Sequence, residues 1–130
     1  MPLVRIDVVE GRRTPAELRL LADTVQEVVL DAFAAPPGDR YQVLTEHRPG
    51  QLICEDTGLG IERTEDLVVL QVFQQGRSEE QKRALYAGLA RRLEEAAGLA
   101  PSDLVVSVAT NTREDWSFGL GRAQFLEGDL

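Results

Sequence analysis

The apolar positions of this chain alternate between two spacings, and each change of spacing marks an element. Leu3-Val4-Arg5-Ile6-Asp7-Val8 opens the chain as a strand-like run. Between Thr14 and Phe33 the spacing becomes helical, with Leu18, Leu21, Val25, Val28, Val29 and Ala32 on one stripe. Thr14 suits the N-cap, Pro15 the first helical position, and Glu17 completes a capping box. Pro36-Pro37-Gly38 is expected to stop the helix, and Tyr41-Gln42-Val43-Leu44-Thr45 reads as a second strand.

The plan then repeats. Leu67-Val68-Val69-Leu70-Gln71-Val72-Phe73 predicts a strand. Ser78 and Gln81 mark a helix start, Leu85, Leu89, Leu93 and Ala96 supply its apolar face, and Gly98 ends it. Leu104-Val105-Val106-Ser107-Val108 follows as a strand. The punctuation repeats as well: Glu10-Gly11-Arg12 matches Gln75-Gly76-Arg77, and Pro37-Gly38-Asp39 matches Pro101-Ser102-Asp103, about 64 residues on. The expectation is one domain of α/β (α+β) class. Its first βαβ unit covers about residues 2–46, a loop 47–66, a second unit about 67–109, and a tail 110–130.

Right-handed crossovers would join a four-stranded mixed sheet with two helices on one face. The third and fourth strands read as apolar on both sides, which requires cover on the second face. A partner subunit is the simplest cover. The loop carries Gly50, Gly58 and Gly60, and its length suggests a function. The tail concentrates Trp116, Phe118 and Phe125 in a chain only 5% aromatic, so these rings should pack on a neighbour or line a site.

Composition narrows the chemistry. With 130 residues, 43% hydrophobic, the chain can bury a core, while a net charge of −8 argues against nucleic-acid binding. No run is long enough to span a membrane and no signal-peptide pattern is present, so a cytoplasmic protein is expected. One cysteine (Cys54) and one histidine (His47) disfavour a disulfide or zinc site, and both residues are read as structural. Thr57-Gly58-Leu59-Gly60 lacks the spacing of a nucleotide-binding loop.

Pro2 follows Met1 directly. If Met1 is removed, Pro2 exposes a secondary amine; an ordinary α-amino group titrates near pH ~7.7–8.0. Such an amine can shuttle a proton or attack a carbonyl.

Tandem βαβ units and a proline after Met1 are similar to the tautomerase superfamily, and further segments resemble its malonate semialdehyde decarboxylase branch. These are Gly38-Asp39-Arg40-Tyr41-Gln42-Val43, Thr45-Glu46-His47, Glu55-Asp56-Thr57-Gly58-Leu59-Gly60, Ser78-Glu79-Glu80-Gln81-Lys82, Asp115-Trp116-Ser117-Phe118-Gly119 and Gly121-Arg122-Ala123-Gln124-Phe125-Leu126. The resemblance implies a homotrimer with helices outside, no metal or organic cofactor, and a small anionic oxo acid as substrate. It implies Pro2 as catalytic amine, Asp39 as its assistant and Arg77 as carboxylate ligand. An arginine pair is expected just after the third strand, but Gln75 stands at the first position. Gln75, Trp116, Phe118 and Phe125 are then candidate substrate contacts. The readings left open are decarboxylation of malonate semialdehyde, a tautomerase or hydratase reaction on another oxo acid, and a non-catalytic trimeric binding protein.

Overall fold

A computed structural model describes residues 2–130. Its elements are β1 (Leu3–Val9), α1 (Pro15–Phe33), β2 (Tyr41–His47), β3 (Val68–Gln75), α2 (Glu79–Ala97), β4 (Leu104–Asn111) and a short α3 (Gln124–Glu127). The strands lie in the order β2-β1-β3-β4. Each βαβ unit supplies a parallel pair, and β1 runs antiparallel to β3 where the two units meet. A local twofold between β1 and β3 therefore relates the halves.

Local chemistry sets the helix ends. Thr14 Oγ1 accepts from the Glu17 N–H while Glu17 accepts from the Thr14 N–H, and Ser78 and Gln81 repeat the device on α2. Gly98 ends α2 in the left-handed conformation, where the absence of a side chain removes the steric cost. α1 stops earlier than Pro36: Ala34 caps it with φ 51° and its N–H donates to the Leu30 carbonyl. The prolines sit beyond that cap, because Pro36 disfavours helical backbone at the residue before it.

Val4, Ile6 and Val8 of β1 and Val68, Leu70 and Val72 of β3 point to the helices, joining Leu21, Val25, Val29, Leu85, Leu89 and Leu93 in one buried cluster. A Cβ on Gly88 would lie 3.1 Å from Val28 Cγ1, so α2 rests on α1 through that bare position. Ala96, expected on the apolar face, is exposed; Ala97 packs on the core instead and buried Leu99 follows the cap.

The opposite face of the sheet carries no helix. Arg5, Val43, Gln71 and Ser107 form one exposed row across it. The expectation of apolar residues on both sides of β3 and β4 thus holds at Val69, Phe73 and Val105 and fails at Gln71 and Ser107. β2, β3 and β4 also run two or three residues beyond the apolar runs that announced them. These polar extensions carry His47, Gln74, Gln75 and Asn111.

Candidate active site

The start of β1, the start of β2 and the end of β3 meet at one end of the sheet. Leu3 lies opposite Tyr41 on one side and Phe73 on the other, so the three side chains share the uncovered face. The tail closes over this row. Trp116 Nε1–H donates to Asn111 Oδ1 at 2.8 Å, which fixes the indole plane. Trp116 stacks on Phe118 at 5.4 Å, Phe118 stacks on Tyr41 at 5.7 Å, and Phe125 meets Phe118 edge-on at 5.4 Å. The Phe118 N–H donates to Gln124 Oε1, tying the aromatic strip to α3. The result is a groove of about 360 Å³ lined by Leu3, Tyr41, Phe73, Asn111, Trp116 and Phe118. The tail aromatics therefore pack within the protomer and Trp116 and Phe118 line a site, while Phe125 backs the wall.

Pro2 is buried next to Leu3, which lines this groove; Met1 lies outside the described residues. Asp39 is buried two residues ahead of Tyr41. Its turn is held by its own N–H, which donates to the Pro36 carbonyl, and by Gln26 Nε2 of α1, which donates to the Asp39 carbonyl at 2.8 Å. Its carboxylate has no hydrogen-bond or ion-pair partner among the described residues. The repeat mate differs. Asp103 occupies the matching turn, its N–H donating to the Ala100 carbonyl. Its carboxylate accepts from the Thr64 N–H at 2.7 Å and the Thr64 hydroxyl at 2.5 Å, which anchors the segment leading into β3. Thr64 stands four residues ahead of Val68, so its counterpart in the first unit would precede Pro2. One carboxylate holds chain; the other has no such segment to hold among the described residues.

This contrast is measurable. Asp103→Ala removes two part-buried hydrogen bonds to Thr64 and should cost about 1–2 kcal/mol, lowering Tm by about 5–10 °C. Asp39→Ala breaks no side-chain hydrogen bond and should leave Tm within about 2 °C. Equal losses in differential scanning calorimetry would show that both aspartates serve structure alone.

Arg77 follows β3 at the same end. Its Nε–H donates to the Phe33 carbonyl at 3.3 Å, Nη1 reaches the Gln75 and Gly76 carbonyls, and its Cζ lies 5.4 Å from the centre of the Phe33 ring. Nη2 is left without a partner among the described residues. Gln75 is opposite Asn111 and shares the uncovered face with Phe73. Neither residue is among those lining the groove, so the protomer sets them near it without merging them into it. Arg12 and Arg13, the obvious substitutes for the missing arginine, engage Asp66 at 2.9 and 2.7 Å. They sit past the far end of β1, about 20 Å away at a strand rise of about 3.3 Å, and cannot complete this site within one protomer. Arg40 is occupied too: it lies 2.7 Å from Asp23 and holds that carboxyl below its ordinary range.

Tyr41, Phe73 and Asn111 were not singled out as site residues by the sequence. Each sits at a strand end and read as part of a strand. His47 Nε2 lies 2.6 Å from Asp7 Oδ1 on the uncovered face, and Cys54 is half-buried in the loop. Asp56 accepts from the Gly58 and Gly60 N–H groups, which hold its carboxyl below the usual range and shape the loop around it.

Buried Pro2, a carboxylate at Asp39 without a partner among the described residues and an aromatic groove thus lie on one double βαβ scaffold. Two family models, both described as tautomerase enzyme, match residues 2–61 and 39–119. The chain belongs to the tautomerase family. It is 51% identical over the full length of both chains to the probable tautomerase YrdN of Bacillus subtilis (strain 168). Among solved structures it is similar to a malonate semialdehyde decarboxylase described with decarboxylase and hydratase activities, with TM-score 0.94, 45% identity and 98% of each chain covered. A second malonate semialdehyde decarboxylase, from FG41 and inhibited by 3-bromopropiolate, matches with TM-score 0.93 and 39% identity over 98% of this chain and 97% of that one.

Proposed function

We propose that this chain, once Met1 is removed, decarboxylates malonate semialdehyde to acetaldehyde and CO2 without a cofactor, as a homotrimer. The observation that carries the reading is Asp39, a buried residue whose carboxylate has no partner among the described residues, where its repeat mate holds backbone instead. The similarity to two malonate semialdehyde decarboxylases supports it. The trimer is supported by the sheet face that neither α1 nor α2 covers, where Val43 is 45% exposed.

The substrate is a 3-oxo acid. Its bond between the carboxylate carbon and C2 breaks, CO2 leaves, and the electron pair enters the carbonyl as an enolate, which takes a proton at C2. A protonated Pro2 amine lowers the barrier by hydrogen bonding the carbonyl oxygen where charge develops. A neutral Pro2 does so by condensing to an iminium, a stronger electron sink. Asp39 maintains the amine's proton or activates water, Arg77 orients the carboxylate through Nη2, and Gln75 contributes one neutral donor. The wall of Trp116, Phe118 and Phe125 strips water from the carboxylate, although rate arguments from desolvation are disputed.

Gln75 favours a second reading within the family. A glutamine donates a hydrogen bond but leaves an anion's charge uncompensated, as suits a tautomerase or hydratase for a different oxo acid. Protein verified by intact mass to begin at Pro2 separates the two. Acetaldehyde released from malonate semialdehyde faster than phenylpyruvate is interconverted between enol and keto forms is the expected result. No acetaldehyde from correctly processed protein overturns the decarboxylase reading and leaves the tautomerase one.

A further inference from the structure

Gln74 is fully buried, and neither its Nε2 nor its Oε1 has a hydrogen-bond partner among the described residues. A buried carboxamide with nothing to bind costs stability that a similarly shaped apolar residue would not. Gln74 interrupts a series of helix-facing residues, Val68, Leu70 and Val72, that are all fully buried and apolar.

Its place in the sheet supplies the reason. β1 and β3 pair with Leu3 opposite Phe73. One step further in that register sets Pro2 opposite Gln74, on the same face, at the ~5 Å Cβ separation of directly opposed residues. While Met1 is attached, the Pro2 nitrogen is a tertiary amide and has no hydrogen to donate. Removing Met1 turns it into an amine that does. The carboxamide's missing partner is thus a group that processing creates.

We infer that Gln74 is a positioning residue for the terminal amine: its Oε1 accepts one N–H of mature Pro2 and leaves the second for the groove. The carboxamide dipole favours the protonated amine and directs its remaining valence toward the aromatic groove. Charged groups around the terminus are few. Asp39 and Arg40 precede β2 and Arg77 follows β3; α1 offers the neutral Gln26, β4 offers Thr110, opposite Gln74, and the tail brings Asp115 to the groove, where its carboxylate accepts from the Thr112 N–H and hydroxyl. Arg40 is spent on Asp23 and Gln42, and Arg77 largely on backbone carbonyls, so Asp39 and Gln74 set the amine's state between them.

This assignment rests on Pro2 being the working amine, and the test separates the two. Mature protein labelled with 15N-proline and with 15N-glutamine side chains is titrated by NMR. The Gln74 amide signals are assigned by their loss in Gln74→Met, a substitution that nearly conserves shape. In the wild-type protein the Gln74 signals should move with the same midpoint as the Pro2 nitrogen. In Gln74→Met and Gln74→Leu the Pro2 midpoint should fall by about one pH unit, as expected for a lost hydrogen bond to a charged group, while Tm stays level or rises. Gln74 signals that ignore the Pro2 titration, in wild-type protein that turns substrate over, overturn the positioning role and leave the Pro2 reading intact. A Pro2 nitrogen that never titrates overturns both. Should both variants misfold, the Gln74 amide signals are assigned in wild-type protein through their bonds to the Gln74 backbone, and co-titration still decides the matter.

Discussion

A form of the protein that keeps Met1 is expected to lose at least about three orders of magnitude in turnover against one that begins at Pro2. An acylated proline nitrogen has no available lone pair, so it neither carries a proton near neutrality nor condenses with an aldehyde. Positioned acid–base chemistry alone is typically worth about 10²–10⁴ in rate, and the iminium route disappears with it. Pro2→Ala is the milder companion. It retains a free amine but loses the ring that sets its direction, so a loss of about 10–100-fold is expected from misplacement. The measurement is initial rate on malonate semialdehyde, with intact mass reporting the residual Met1-free fraction, because one part in a thousand of processed protein would mimic a slow blocked enzyme. Equal turnover with and without Met1 would remove Pro2 from the chemistry. Asp39 would then be a buried residue without a role, since no side-chain bond among the described residues explains its position.

How far this site could be read in advance depends on what kind of signal each part leaves. Capping chemistry is local, so Thr14 with Glu17, and Ser78 with Gln81, were legible and stand in place. The duplication was legible because apolar spacing and turn residues recur together. Strand ends were not: Gln74, Gln75 and Asn111 are polar, and alternation gives no reason to extend a strand through them. Yet those positions are where the sheet meets the site. The different fates of Asp39 and Asp103 were equally hidden. Both follow similar turns, and only tertiary structure shows that Asp103 ties down the segment leading into β3 while the Asp39 carboxylate has no partner among the described residues. The aromatic tail announced itself by composition, but that Trp116 and Phe118 close over Tyr41 within the protomer needed tertiary structure.

Arg77→Ala is expected to lower kcat/KM for the oxo acid by about 10–100-fold, the worth of a hydrogen bond to a charged group. The guanidinium has five N–H donors in a rigid fork. Here the Nε and Nη1 side of the fork is held by the carbonyls of Phe33, Gln75 and Gly76, with the Phe33 ring beneath. That leaves Nη2 as the free prong, already oriented, so little side-chain entropy is lost on binding an anion. Because the same contacts tie the β3–α2 connection to the end of α1, a structural cost accompanies the substitution, and Tm must be recorded beside the kinetics. A loss located in KM, with kcat and Tm little changed, marks uniform binding of the carboxylate; a loss in kcat marks orientation realised only as CO2 departs. Gln75→Arg runs the argument in reverse. Its position shares the face of Phe73 and lies opposite Asn111, so a second cation there restores the charge that glutamine lacks. KM for malonate semialdehyde should fall by about 10-fold if that acid is the substrate. If Gln75→Arg instead leaves KM unchanged or slows the native reaction, the glutamine is matched to a substrate that presents a neutral oxygen at that point. The hydratase or tautomerase reading would then account for both residues better than decarboxylation does.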